Sequence, residues 1–395
     1  MLTVFILIYV IAAGMLFYTY IIYPFLLHLL SAGKALNYAL YDKEELPDVL
    51  ILFSVYNGEK VIAEKISSML NSDYPEFKLR VLVGSDESND TTDSIVQEIA
   101  AQNNRVTLYR FSRRGKANVL NALRKIALEK VKKPDTILVY TDVHAIFDRN
   151  TLFEMVKYFK DERIGIVGAT YINTNVQKGG ISIQERAYIQ RENVIKLRES
   201  ILFGRMMGVY GACYAIRAVD MPEFPHNILM EDFYVTQHIH NIGKHSILSP
   251  ESKFYLSIPN SMEAEFSRKR RIAAGNFQNL FHFPGLLSPL RIMVSFPYWS
   301  HKVLRWLGPI WILLSYIAVL GLVFLKPHPI TYLLLGYHIL ILLVPVGDEL
   351  LKRAGIDVML LRYIHYFLRM NVAIVSGFVW FVRGIKTNVW QPTNR

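Results

Sequence analysis

The sequence is short of cysteine throughout and of charge at its N-terminus. The single cysteine, Cys213, excludes a disulfide framework within the chain and fits a reducing compartment. No Asp, Glu, Lys or Arg precedes Lys34, and about 20 apolar residues suffice to cross a bilayer as a helix. A basic leading region is missing and the apolar run is too long for a secretory signal, so residues 1–33 are expected to be a retained transmembrane anchor. A GxGxxG dinucleotide fingerprint, a GxxxxGK[ST] phosphate loop and internal repeats are also missing. Charged residues make up only 19% of the 395 positions, against 52% hydrophobic. The mean hydropathy is +0.23, more apolar than an ordinary soluble domain.

The charge that is present leans positive, with 44 Lys and Arg against 33 Asp and Glu, a net +11. Beside membrane segments, anionic lipid or a phosphorylated substrate accounts for this better than nucleic acid, and no nucleic-acid partner is expected. Further apolar runs lie at Trp306–Leu325 and Ile330–Gly347. A third, Met370–Val382, is flanked by Arg369 and Arg383 and extends back through residues 360–368; it reads as a span or as an interfacial amphipathic helix. LSPLRIMVSFPYW (287–299) has the prolines and aromatics of an interfacial segment.

The expected division is an anchor (1–33), a globular domain (42–285), an interfacial segment (286–302), C-terminal transmembrane helices (303–385) and a tail (386–395). The expected location is the plasma (inner) membrane, multi-pass, with the globular domain cytoplasmic. Three C-terminal spans would put the basic tail outside, against the positive-inside tendency. The sequence leaves open whether the last segment spans or lies in the interface.

Within 42–285, strand and helix patterns alternate: strands over 48–56, 78–88, 105–111 and 136–142, helices over 58–70, 91–102 and 116–130. Apolar strands alternating with helices predict an α/β domain with a mostly parallel, Rossmann-like sheet. Ligands bind such sheets beyond the carboxyl ends of the strands, and polar clusters sit there: Tyr56–Glu59, Asp86–Asp90 and Asp142–His144.

Asp142 and His144 are alternate residues; an extended chain would project both from one face. Carboxylate plus imidazole suits Mn²⁺ better than Mg²⁺ and leaves coordination positions for water and a diphosphate. The alternative is a turn cap followed by a solvated histidine. Asp86 and Asp90 can accept hydrogen bonds from a base or ribose, or build an Asx turn. Lys116, in the run Arg113–Lys116, is a solvated cation or one near a nucleotide. In Glu231-Asp232 a carboxylate can be a helix-dipole partner or a general base. His238 and His240 read as surface histidines. SRKRR (267–271) can neutralise a diphosphate or touch lipid headgroups.

The order SVYNGE (54–59), DESNDTT (86–92), RRGKANVLN (113–121), TDVHAIFD (141–148), YGACYAIR (210–217), MED (230–232) and RKRRI (268–272) resembles membrane-bound family 2 glycosyltransferases. The closing GIKTNVWQPTNR (384–395) is similar to their tails. That group includes synthases of hyaluronan, chitin oligosaccharides and poly-N-acetylglucosamine.

The resemblance implies a GT-A fold, a nucleotide-sugar donor, inversion at the anomeric carbon and a divalent metal, Mn²⁺ or Mg²⁺. By it, Tyr56, Glu59, Asp86 and Lys116 would hold the nucleoside, and Asp142 would meet the ribose–diphosphate. Asp142 and His144 would bind the metal and Arg271 the diphosphate. Asp232 would be the base beside Glu231, with Gly211, Cys213 and Arg217 on the acceptor side. The acceptor would be a glycan or lipid-linked group at the bilayer. One departure stands out: the polymerising members carry Q-x-x-R-W where this chain has R-K-R-R-I. Ile272 offers no π-face for an acceptor sugar, so addition of one or a few sugars becomes plausible. A polyprenyl-phosphate sugar transferase and an inactive nucleotide-sugar sensor are the other readings.

Overall fold

Near-continuous apolar runs such as VLILFSV and ILVYT fold as strands covered on both faces. The computed structural model describes residues 1–131, 133–177, 180–257 and 260–387; most of the tail motif, 388–395, lies outside the described residues. Among the described residues eight strands form one sheet: β1 Val49–Val55, β2 Leu79–Asp86, β3 Val106–Phe111, β4 Ile137–Thr141, β5 Ile146–Phe147, β6 Ile164–Thr174, β7 Cys213–Arg217 and β8 His245–Ser257. Their order is β3-β2-β1-β4-β7-β6-β8-β5.

The β3-β2-β1-β4 block is parallel, as expected. β7 then runs antiparallel to both β4 and β6. This reversal decides which residues reach the ligand edge. Thr141 at the end of β4 pairs with Cys213 at the start of β7, and Ile137 pairs with Arg217. Gly211 and Ala212 therefore arrive beside Asp142, while Arg217 is carried about 13 Å away at roughly 3.3 Å per residue.

The longer helices are numbered here: α1 Leu2–Ser31, α2 Ile62–Leu70, α3 Thr92–Gln102, α4 Lys116–Lys130, α5 Thr151–Val156, α6 Ser182–Phe203, α7 Glu231–Asn241, α8 Met262–His282, α9 Gly308–Leu325, α10 Pro329–Arg353 and α11 Met359–Val382. The sheet has a core on each face because side chains alternate along a strand. Ile51, Phe53 and Val83 pack with Ile62, Ile66 and Met69 of α2. Leu50, Leu52 and Leu82 pack with Leu120 and Leu123 of α4. Thr91 stands at the N-cap of α3 without a side-chain cap. Asp90 supplies it instead, accepting from the Thr92 N–H at 3.0 Å.

Among the described residues four helices, α1, α9, α10 and α11, are long and apolar enough to cross a membrane. Between the globular domain and α9, residues 292–306 run as a short helical stretch through Ile292–Pro297, Tyr298–Val303 and Leu304–Trp306.

Candidate active site

At the end of β4 the chain turns, with the Ala145 N–H donating to the Asp142 carbonyl at 3.1 Å. The extended arrangement expected for Asp142 and His144 is therefore not what forms: the pair sits in a tight turn. Buried Lys65 pins that turn. Its Nζ donates to Thr141 Oγ1 at 2.8 Å and to the Ala145 carbonyl, and lies 3.9 Å from the centre of the Phe147 ring. Burial lowers the Lys65 pKa to about 7.

Gly115 caps α4 with φ +86°, a conformation open to glycine. Next to it, Lys116 reaches Asp142 Oδ1 at 2.8 Å and Glu231 Oε1 at 2.5 Å. Burial alone would lower its pKa, but Asp142 and Glu231 more than reverse this and keep it charged. Glu231 and Asp232 open α7. Asp232 Oδ2 accepts from the Gly211 N–H at 2.8 Å, and Oδ1 from the Phe233 N–H at 2.8 Å. Burial, followed by the Glu231 charge, pushes the Asp232 pKa up to about 6.

These groups line a cavity of about 260 Å³ that brings together Lys116, Asp142, Gly211, Glu231, Asp232, Arg271 and Ile272. Arg271 also donates to the Leu229 carbonyl at 3.2 Å. A Cβ at Gly211 would lie 2.9 Å from Asp232 Oδ2 and 3.2 Å from its Cγ. Gly211→Ala is therefore expected to displace the carboxylate and lower kcat more than it alters nucleotide affinity; steady-state kinetics beside a nucleotide titration checks this.

The other expected site residues are held elsewhere. His144 is half-buried in the Asp142 turn and is not among the cavity-lining residues. Asp86 is buried and accepts from the Arg114 N–H (2.7 Å), the Gly115 N–H (3.0 Å) and the Arg113 guanidinium. It holds the 112–116 loop in place. The same guanidinium lies 3.6 Å over the Tyr56 ring. Glu59 accepts from the Thr91 hydroxyl at 2.8 Å, tying two loops together.

The acceptor-side expectation for Cys213 and Arg217 is corrected. Cys213 is fully buried, and burial pushes its thiol up to about 12. Arg217 donates to the carbonyls of Ile164 (2.9 Å), Phe159 (2.6 Å) and Asp161 (2.8 Å) at the opposite edge. His240 is corrected too: it is buried, with Nε2 2.7 Å from Ser246 Oγ. Arg268 is ion-paired with Glu185 and Glu265.

Sequence reasoning missed several cavity residues, among them Lys196, Tyr210 and Trp306. Lys196 on α6 lies 3.3 Å from the centre of the Tyr210 ring, and burial lowers its pKa to about 7. Tyr210 is in YGACYAIR but was not singled out. Trp306, in the short helical stretch before α9, also lines the cavity; Phe233 packs edge-on against it at 6.0 Å. Neither Lys196 nor Trp306 carries a local motif.

Two donors suit a divalent cation only if other ligands complete it. Among the described residues no group of three or more His, Cys, Asp or Glu could hold a metal ion.

A strand-end carboxylate, a lysine and paired acids thus meet at one edge of a Rossmann-like sheet. Residues 50–220 match the Glycosyl transferase family 2 profile, and the chain carries a domain of that family. Over 243 residues it is 21% identical to a poly-beta-1,6-N-acetyl-D-glucosamine synthase of Staphylococcus epidermidis, covering 60% of this chain and 57% of that protein. It is 23% identical over 247 residues to the probable glycosyltransferase YdaM of Bacillus subtilis, covering 60% and 56%. The chain thus spans less than two thirds of these relatives. Among solved structures, the mannosyltransferase PcManGT from Pyrobaculum calidifontis, in complex with GDP-Man and Mn²⁺, superposes with a TM-score of 0.64 at 21% identity. That match covers 93% of this chain and 99% of the other. The fold is of GT-A type.

Proposed function

We propose that this chain transfers a sugar from a nucleotide-sugar, a UDP-sugar by preference, to a hydroxyl of a glycan or lipid-linked acceptor at the inner membrane, with inversion. The observation that carries the reading is the Asp142–Lys116–Glu231 bridge with Asp232 beside it on one cavity wall.

In this mechanism Asp232 takes the proton of the acceptor hydroxyl as its oxygen bonds to the anomeric carbon. The bond from that carbon to the diphosphate oxygen breaks, and the nucleoside diphosphate departs with the electron pair. A base near pH 6 is ionised at neutral pH yet basic enough to help. Arg271 and Lys116 offset the charge developing on the leaving group. Asp142 and His144 would hold Mn²⁺, in preference to Mg²⁺, which when bound would supply further neutralisation. Tyr56 and Arg113 would frame the base, and Glu59 and Asp86 would support that pocket by holding its loops. PcManGT binds GDP-Man and Mn²⁺, which supports a nucleotide-sugar and a divalent cation here.

A second reading, a polyprenyl-phosphate acceptor, is favoured by the cations Lys196, Lys269, Lys302 and Arg305 around the same cavity. Product analysis with a soluble sugar acceptor and with a polyprenyl phosphate separates the two.

The test is nucleotide release from a panel of UDP- and GDP-sugars with Mn²⁺, Mg²⁺ or EDTA. Turnover with a UDP-sugar, abolished by EDTA and restored best by Mn²⁺, is expected. Turnover confined to GDP-sugars would reject the donor, and turnover undiminished in EDTA the metal.

Trp306 is read as the acceptor's aromatic contact in place of the residue at 272. Aromatic contacts contribute about 0.5–1.5 kcal/mol beyond their buried area. Trp306→Ala should therefore raise the acceptor KM about 3–10-fold, with donor KM unchanged and Trp306→Phe close to wild type. Equal acceptor KM values in all three proteins would reject this role.

A further inference from the structure

α11 has the length of a membrane span, yet its neighbours place it elsewhere. We infer that α11 lies in the headgroup layer of the leaflet facing the catalytic domain. The chain then crosses the bilayer three times, through α1, α9 and α10, and the segment after α11 stays on the catalytic domain's side. This goes beyond the transferase reading and does not depend on it.

The first observation is the partner of α11. It runs alongside α8, which carries Glu263, Glu265 and the cations Arg268–Arg271 and is too charged for hydrocarbon. The contacts advance together along both helices. The Arg369 guanidinium lies 5.3 Å from the Phe266 ring, the Phe378 ring 5.0 Å from Phe277 and the Phe381 ring 5.4 Å from Phe281. Between them Gly377 sits against the Arg270 carbonyl and Ala273, where a Cβ would not fit. From Arg369 to Phe381 this is about 18 Å of helix at 1.5 Å per residue. A helix leaving to cross ~30 Å of hydrocarbon could not keep this neighbour.

The second observation is that both ends of α11 return to the domain. Near its start, Arg362 donates to the Gly180 carbonyl at 3.4 Å and the Tyr366 hydroxyl donates to Glu185. Past its end, Asn227 Nδ2 donates to the carbonyls of Ile385 (3.4 Å) and Lys386 (3.2 Å).

The third is its level relative to the true spans. α1 packs along α9, with Phe5 against Gly321. His338, midway along α10, meets Tyr9 and Tyr316 at ring distances of 5.9 and 4.7 Å. At the domain-side ends, Asn371 of α11 abuts Gly308, the first residue of α9. Asp348, near the end of α10, accepts from Arg362 Nε at 2.8 Å. α11 therefore passes beneath the ends of α9 and α10.

Composition agrees. Over an 18-residue stretch the mean hydropathy of α11 is 1.3, against 2.2 for α1 and α9 and 2.0 for α10. Its domain-facing side holds Arg362, Tyr366, Ala373 and Gly377, all buried, while Asn371 is buried against the start of α9. The opposite face exposes Leu360, Tyr363, Val372, Val375, Val379 and Val382. Acyl chains are the occupant that fits this stripe, with anionic headgroups at the basic ends Lys352, Arg353, Arg383 and Lys386. Three crossings also keep those cations on the domain's side, which removes the conflict with the positive-inside tendency.

Because Cys213 is fully buried, single cysteines report position with little background. Pro327→Cys, Ile356→Cys, Lys386→Cys and, as a catalytic-domain marker, Phe77→Cys are made in the full chain. Each is exposed to a membrane-impermeant maleimide in intact cells and in inverted vesicles. Ile356→Cys and Lys386→Cys should label from the same side as Phe77→Cys, and Pro327→Cys from the opposite side. A fluorescent reporter fused after the last residue should agree. Labelling of Lys386→Cys, or reporter placement, opposite to Phe77→Cys would mean that α11 spans and would overturn the inference. The side on which Phe77→Cys itself labels tests the cytoplasmic assignment separately.

Discussion

Asp232→Asn is expected to lower kcat by about 10²–10⁴, the usual contribution of a positioned general base, while nucleotide affinity stays within about threefold. Asp232 contacts the backbone of Gly211 and Phe233 and faces the cavity, so its loss removes a proton acceptor rather than a nucleotide contact. The amide keeps one acceptor oxygen where the carboxylate had two, so one of those N–H groups loses its partner; a melting curve separates that effect from catalysis. The wild-type pH profile carries a matching signature. Asp232 is raised to about 6, so the active, ionised form predominates above that pH. Turnover should fall about tenfold per unit below it, and Asp232→Asn should lose this acid limb. A variant that keeps wild-type kcat would remove Asp232 from the mechanism.

The second large effect concerns the joint between the catalytic domain and the membrane. Glu192 of α6 is buried among His301 (Nε2 3.1 Å), Lys302 (3.4 Å) and Arg305 (2.5 Å) from the helical stretch that delivers Trp306. His301 Nδ1 also lies 2.7 Å from Glu199, which accepts from the Tyr23 hydroxyl of α1 at 2.8 Å. Burial favours a protonated Glu192, but the cations more than reverse this and hold it well below the usual carboxylate range. Glu192→Gln would leave several cations buried without their counter-ion, a change that costs ~3–5 kcal/mol in comparable buried pairs. A large fall in melting temperature of the detergent-purified protein is expected, together with a raised acceptor KM. Pairing Glu192→Leu with Arg305→Leu should recover part of the loss. An unchanged melting temperature for Glu192→Gln would mean that this cluster does not hold the domain to its anchor.

Much of the globular half was legible because strand and helix periods are local. The apolar run 136–142 became β4, and the helix read over 116–130 has those same limits. The placement of Asp142 at a strand end and of Glu231 and Asp232 at a helix start was legible for the same reason, and Lys116, Gly211 and Arg271 line the same cavity. What failed depended on long-range geometry. The reversal of β7 is not written in CYAIR itself, and it sends Arg217 to the far edge and Cys213 into the core. Asp86 and Glu59 looked like ligand contacts because acids at loop tips usually face water; their partners, the 112–116 loop and Thr91, come from other segments. Trp306 reaches the cavity through a helical stretch whose first part reads only as interfacial. α11 has a span's length, and only its packing along α8 distinguishes the alternatives.

The central claim is that this cavity moves a sugar rather than merely binding a nucleotide. The most direct measurement uses the full chain in nanodiscs with a radiolabelled nucleotide-sugar, following sugar incorporation and nucleoside diphosphate release together. Equimolar transfer and release by the wild type, lost in Asp232→Asn, is the predicted result. Saturable nucleotide binding with neither release nor incorporation, for every donor and acceptor class tried, would contradict it.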